Sequence, residues 1–297
     1  MVRPLHFHPN PETAADNAFQ SRASSQPPDE TARLAYAEVS AAAARLEAAG
    51  VRVHLFDDDG ARDTPDSVFP NNWFSTHAGG HVALYPMFAP NRRRERRSDI
   101  IECLKSTYRV QDVIDYSGLE HDGMFLEGTG AMVLDHVARI AYTAQSNRAN
   151  PVALERFCTH FNFEPMAFAT ADAQGQACYH TNVMLCVCTE FALGGFYLIA
   201  DAKRRGAVRE RLRDGGRELI ELDAWQIGEF AGNALELSGR SGERLLALSE
   251  RACASLSAAQ KAAIERSATL LPLAVPTIEL AGGSVRCMLA GIHLARR

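Results

Sequence analysis

A thiol, an imidazole and a carboxylate in this chain have the chemistry of nucleophilic hydrolysis, and each is placed where a loop meets an apolar run. Cys287 follows Gly282-Gly283-Ser284-Val285-Arg286 and leads into the apolar stretch from Met288 to Leu294. Glycines allow close backbone approach and can leave N–H groups free, and the adjacent Arg286 would favour the thiolate, the nucleophilic form of cysteine. The same residues also fit a packed cysteine beside a turn. His180, in Cys178-Tyr179-His180-Thr181-Asn182-Val183, opens another apolar run. An imidazole titrating at about 6.5 suits proton transfer at neutral pH, and a hydrogen-bonded structural histidine is the plain alternative. Glu127 sits in Phe125-Leu126-Glu127-Gly128-Thr129-Gly130. A carboxylate there orients a histidine, binds an N–H group, or closes the turn through local hydrogen bonds.

Two further stretches have the make-up of a binding site. Asp66, Asn71 and Asn72 surround Phe69 and Trp73, placing hydrogen-bonding groups between aromatic walls. That is pocket-like composition, and it also fits an aromatic-anchored loop. Arg92-Arg93-Arg94-Glu95-Arg96-Arg97 opens an expected helix, where cations oppose the helix dipole. An anion partner for one or two of them is expected, with a solvated basic face for the rest.

These groups belong to a chain of 297 residues, 46% hydrophobic and 23% charged, with a net charge of −5 and a pI of about 6.1. Such a composition folds, and it lacks the basic footprint of a nucleic-acid binder. Met1-Val2-Arg3-Pro4-Leu5-His6 has no apolar signal-peptide core, so a cytoplasmic chain with reduced cysteines is expected. Its seven cysteines (103, 158, 178, 186, 188, 253, 287) show no paired C-x-x-C spacing, which argues against a disulfide framework or a structural zinc. The most apolar window, Val183 to Ala200, is broken by Glu190 and Gly194-Gly195 and reads as two buried strands around a turn, not a membrane span.

Positioning falls to alternating helices and strands. A helix is expected over 29–49, then a strand over 51–55 ended by Asp57-Asp58-Asp59-Gly60. The order recurs: strand 82–86, helix 92–106, strand 109–114, a strand pair over 131–142 and a helix over 151–163. Strands at 178–188 and 196–200, a helix at 203–214, strands at 217–222 and 234–248, a helix at 257–267 and strands at 270–280 and 287–294 complete it. Strand pairs separated by single helices recur about five times in units of roughly 60 residues, which suggests stacked α/β units. Neither G-x-G-x-x-G nor a Walker motif is present. No linker divides the chain, so one domain over 1–297 is expected, with 22–30 its loosest stretch.

Taken together, the motifs resemble the arginine deiminase and amidinotransferase superfamily of penteins, most closely its citrulline-utilisation hydrolase branch. The resemblance runs through Arg3-Pro4, Asn17-Ala18-Phe19-Gln20, Asp66 to Trp73, Tyr85-Pro86-Met87, Leu126 to Gly130, His180-Thr181-Asn182, Phe230-Ala231-Gly232-Asn233 and Gly282 to Met288. It implies a five-bladed α/β propeller of ββαβ units around a central site. It also implies a nucleophile at Cys287, a proton carrier at His180, an assisting acid at Glu127 and a substrate-binding aspartate at Asp66. Two positions depart from the deiminases, where acids stand in place of Asn72 and Asn182. An amide supplies both donor and acceptor to a neutral ureido group, whereas burying a guanidinium without carboxylates costs several kcal/mol, on the order of 3–5. Resemblance to dimethylarginine hydrolases further implies that Arg93, or its neighbour Arg92, and Arg148 hold the substrate's carboxylate.

The expected reaction is therefore hydrolysis of citrulline to ornithine, ammonia and carbon dioxide through a covalent cysteine intermediate, with no metal or organic cofactor. A small ureido or guanidino amino acid is the expected partner, without nucleic acid or membrane, and homo-oligomerisation stays open. The rival readings are an arginine deiminase or dimethylarginine-type hydrolase, an amidinotransferase, and a non-catalytic pentein binding protein. Residues 10–30 are a candidate lid.

Overall fold

The computed structural model describes residues 1–20 and 27–297, so most of the loose stretch at 22–30 lies outside the described residues. Helix α1 (Pro28–Ala48) begins on a proline, whose missing N–H is no loss in a first turn, and carries Asp29 and Glu30 near its positive end. Thr31, Ala35, Val39, Ala42, Ala43 and Leu46 form its buried stripe. It links β1 (Val2–Pro4) to β2 (Phe56–Asp58), which pair in parallel and so require a crossover. Residues 51–55 do not form the expected strand. Val51, Val53 and Leu55 pack half-buried against the core under α1, but ladder pairing starts only at Phe56.

Four three-stranded sheets follow with one repeated pattern. The first holds β3 (Phe74–His77), β4 (His81–Leu84) and, after helix α2 (Ser98–Thr107), β5 (Asp112–Asp115). The second opens with the short turn α3 (Gly128–Ala131) and holds β6 (Met132–Asp135), β7 (Ile140–Ala144) and, after α4 (Pro151–Phe161), β8 (Glu164–Phe168). The third holds β9 (Leu185–Val187), β10 (Phe191–Gly194) and, after α5 (Ala202–Asp214), β11 (Glu218–Glu221). After the short α6 (Ala224–Gly228) the fourth holds β12 (Leu235–Ser238), β13 (Arg244–Ser249) and, beyond α7 (Glu250–Ser255) and α8 (Ala258–Glu265), β14 (Thr269–Leu273). In each sheet the first pair is antiparallel and the second parallel, with a helical crossover between the parallel partners.

Local chemistry sets these boundaries. Asn150 caps α4 by accepting from the N–H groups of Val152 (2.9 Å) and Ala153 (3.3 Å), Pro151 opens the helix, and Asn162 ends it in a left-handed conformation. The central strand β7 is buried along its whole length, with Tyr142 between Val133 and Met166. The helix expected over 92–106 divides instead. A 3-10 turn at Pro90–Glu95 turns Arg92 and Glu95 inward, and extended backbone at Arg96 and Arg97 lets Arg96 reach Glu120 at 2.5 Å before α2 begins. Phe196–Leu198 is a 3-10 turn, its strand lying earlier as β10. Residues 287–294 form no strand, because the N–H of Cys287 closes a turn onto the Ser284 carbonyl at 3.0 Å.

Tight turns precede the first strand of each three-stranded sheet: Pro70–Asn72, Gly128–Ala131, Thr181–Val183 and 230–233, with a fifth at 284–287. They touch in succession. Thr129 Oγ1 donates to the Asn71 carbonyl (3.3 Å), Thr181 Oγ1 to that of Ala131 (2.5 Å), and Asn233 Nδ2 to that of Asn182 (3.0 Å). The Arg286 N–H donates to Asn233 Oδ1 (3.1 Å), and Gly283 packs on the ring of Phe69, so the succession returns to the first turn. Gly128 must be glycine there: its φ is +44°, and a Cβ would meet the Asn71 carbonyl oxygen at 2.4 Å.

Candidate active site

The five turns bring Cys287, His180, Glu127, Asn72 and Asn182 to one place. Cys287 is 2% exposed, and its Sγ accepts hydrogen bonds from Asn182 Nδ2 and Asn233 Nδ2, both at 3.2 Å. Both donors are neutral amides. Arg286 is not among them. Its side chain lines a separate pocket with His136 and His293, because the turn sends consecutive side chains to opposite sides. Asn182 thus sits on the thiol itself.

His180 Nε2 lies 2.8 Å from Glu127 Oε2, and both residues are buried. Glu127 Oε1 accepts from the Phe88 N–H (3.0 Å), while Oε2 also faces Arg148 at 3.3 Å and Arg92 at 3.7 Å. Burial alone would push the Glu127 carboxyl up, but Arg148, the His180 bond and Arg92 outweigh it and hold the group well below the usual carboxylate range. Burial lowers His180 below its ordinary value, and Glu127 offsets that only in part. A neutral imidazole donating Nε2–H to an ionised Glu127 follows, leaving Nδ1 beside Gly130 as a free base. Gly130 has no room for a side chain, since a Cβ would stand 2.2 Å from the Asn72 side-chain amide and 2.8 Å from His180 Nδ1.

Asp66 completes the inner wall. Its Oδ2 accepts from Asn10 Nδ2 at 2.8 Å and lies 3.6 Å from Arg92 Nε, whereas its buried Oδ1 has no partner. Burial pushes this carboxyl up, with Arg92 and Asn10 opposing. With its amide oxygen toward Arg92, Asn72 accepts from both terminal guanidinium nitrogens at 3.0 and 3.1 Å. Of the arginine run, Arg92 lines the cavity and Arg93 does not. Arg92 is gripped by both Glu95 oxygens at 2.8 and 3.0 Å, while Arg93 donates to the carbonyls of Met87 (3.0 Å) and Phe88 (3.2 Å).

The N-terminal segment covers the opening. Thr13 and Asn17 line the cavity, and Asp16 holds Arg148 with one oxygen 2.5 Å from Nη2 and the other 3.1 Å from Nε. The free volume left inside is about 10 Å³, room for a single water. Larger cavities exist elsewhere, so convergence of chemical groups, not size, marks this site. Sequence reasoning did not assign Asn233, Asn10 or Asp16. Asn233 carried a signal, since it ends the tight Phe230-Ala231-Gly232-Asn233 turn, whereas Asp16 carried none.

The fold with its buried cysteine, histidine and glutamate defines a cysteine-dependent hydrolase of the pentein arginine deiminase and amidinotransferase superfamily. Within it, the chain belongs to the family described as N,N dimethylarginine dimethylhydrolase, eukaryotic, whose model matches residues 3–294. Among solved structures, the substrate-bound N-terminal domain of ArgZ, an arginine dihydrolase from the ornithine-ammonia cycle in Cyanobacteria, is 16% identical. It superposes with a TM-score of 0.74 over 97% of this chain and 95% of that one. The chain spans 39% of the full-length ArgZ chain, again with 16% identity over 97% of this chain and a TM-score of 0.73. A dimethylarginine dimethylaminohydrolase in adduct with S-methyl-L-thiocitrulline is 14% identical, with a TM-score of 0.61 over 100% of this chain and 98% of that one. At these identities the likeness is one of fold. No curated protein matched the chain. No helix among the described residues is long and apolar enough to cross a membrane.

Proposed function

We propose that the chain hydrolyses the ureido group of citrulline, giving ornithine, ammonia and carbon dioxide through a covalent intermediate on Cys287. The observation that supports this reading is the pair of neutral amides, Asn182 and Asn233, on the thiol. A ureido carbon presented to Cys287 meets neutral donors and acceptors, and Arg92 lies within reach of its oxygen side through Asn72. The unpartnered Asp66 Oδ1 takes a substrate N–H.

In this scheme the Cys287 thiol gives its proton to His180 Nδ1 as the sulfur attacks the ureido carbon, and the terminal C–N bond breaks. His180 delivers the proton that leaves with ammonia, and Glu127 keeps the imidazole oriented. The resulting S-alkylthiocarbamate is attacked by water, which gives a proton to His180. The C–S bond breaks, the thiolate returns, and the carbamate loses carbon dioxide to leave ornithine. Arg148 takes the substrate carboxylate by exchanging it for Asp16, so the N-terminal segment must open to admit the substrate. Arg93 sits at the rim, its guanidinium over the Phe125 ring at 5.6 Å, and contributes there only on release from its two carbonyls. We read the five sheets, joined by their succession of turns, as the five blades of one propeller domain over 1–297.

A second reading rests on Asp66 and Glu127. These two buried carboxylates, one lining the cavity with Cys287 and the other bonded to His180, also suit a guanidinium, and ArgZ is described as an arginine dihydrolase. Ammonia, citrulline and ornithine are to be quantified from citrulline, arginine, agmatine, dimethylarginine and succinylarginine under one condition. Citrulline is expected to give the highest kcat/KM. Faster turnover of arginine or dimethylarginine would replace the ureido reading with the guanidino one.

A further inference from the structure

Arg286 is a charged side chain left without an answer. It is 8% exposed, its Nε is buried without a partner, and among the described residues its guanidinium makes no hydrogen bond or ion pair. Its main chain alone is engaged among the described residues: the N–H donates to Asn233 and the carbonyl accepts from the Leu289 N–H. The terminal nitrogens face the pocket, so the guanidinium offers free N–H donors to whatever enters it.

The guanidinium lines a pocket of about 250 Å³ that contains none of the groups around the Cys287 cavity. His136 and His293 form one side, their rings tilted together with centroids 4.1 Å apart. Thr129 and Thr189 line it from other segments. Two carboxylates also line it, and both are already used. Asp135 pairs with Arg217 at 2.7 Å and accepts the N–H groups of Val137 and Ala138, and Glu236 accepts from Thr189 Oγ1 at 2.5 Å. The Asp135–Arg217 pair is neutral as a unit and, among the described residues, Glu236 bonds only to Thr189, so of the two guanidinium groups in this lining Arg286 is the one without a bonded partner.

We propose that this pocket is a second binding site, for a small oxyanion held by the Arg286 guanidinium and flanked by the two histidines. A planar fork of N–H donors suits oxyanions such as phosphate or a carboxylate, and imidazole N–H groups add donors at the mouth. The occupant would rest against two segments that also build the hydrolytic site: Arg286 directly precedes Cys287, and Thr129 lies in the turn begun by Glu127.

The test is calorimetric titration of the full chain with inorganic phosphate at neutral pH, with ionic strength held constant by chloride. Saturable binding is expected, weakened about ten-fold or more in Arg286→Gln, because a charge-assisted contact is lost. Citrulline should not displace the phosphate, and Cys287→Ser should bind it as the parent does. Absence of saturable binding up to about 20 mM, equal affinity in parent and Arg286→Gln, or displacement by citrulline would each overturn the assignment. Should Arg286→Gln fail to fold, His293→Phe at the exposed rim is the second variant, expected to bind about three-fold more weakly; an unchanged affinity there overturns it equally.

Discussion

Asn182 Nδ2 stands 3.2 Å from Cys287 Sγ, so the neighbour of the thiol from two turns earlier in the fold is a neutral donor. Asn233 repeats the contact from the next turn at the same distance. Replacing either by alanine should slow labelling of Cys287 by a haloacetamidine probe at neutral pH by about three- to ten-fold, since one N–H donor to the sulfur charge is lost. Asn182→Asp should slow it further by placing a carboxylate against the thiolate. Labelling rates equal to the parent's in all three would remove the amides from the account.

Cys287→Ser should lose turnover while keeping its circular dichroism spectrum and melting temperature. Serine fills the same space but is not ionised at neutral pH. Substantial ammonia release by that variant would refute the nucleophile.

His180 fixes the direction of the pH dependence. Its folded pKa is lowered by burial, so the imidazole is a neutral base above that value and is lost as base when pH falls through it. The acid limb of kcat/KM should therefore have its midpoint below the ordinary imidazole value of about 6.5. A midpoint well above that would mean that the limb reports another group or that His180 is not buried as described.

Glu127→Gln removes the one strong influence that raises His180 and leaves Arg148 and Arg92 unopposed. The acid limb should move to still lower pH, and kcat should fall by roughly 10²–10⁴, as expected when an oriented imidazole loses its carboxylate. A variant with parental kcat would make Glu127 purely structural.

Asp16→Ala frees the Nε and Nη2 edges of Arg148 for a substrate carboxylate. The dissociation constant of citrulline on a Cys287→Ala background should fall about three-fold or more, since no exchange of carboxylates is then needed. A weaker complex would show instead that Asp16 helps to hold the substrate.

The positions with chemical character were legible in the sequence because each breaks an apolar pattern locally: Glu127 between apolar residues and glycines, His180 before 183–188, Cys287 after paired glycines. The α1 and α5 helices, and the recurrence of strand pair and helix, were legible for the same reason, since 3.6-residue stripes and turn residues are local properties. Short strands such as β3 and β8 were not, because three to five residues carry too little periodicity and their pairing depends on partners distant in the chain. The side to which consecutive residues point was also a tertiary matter. The 284–287 turn sends Cys287 to Asn182 and Asn233 and sends Arg286 to the histidine pocket, and Arg92 displaced Arg93 from the cavity when the run broke at Arg96. Spacing along a chain can nominate a thiol, an imidazole and a carboxylate, but 53 residues separate Glu127 from His180 and 105 separate Asn182 from Cys287. Only the packing of five turns against one another could set which of them touch.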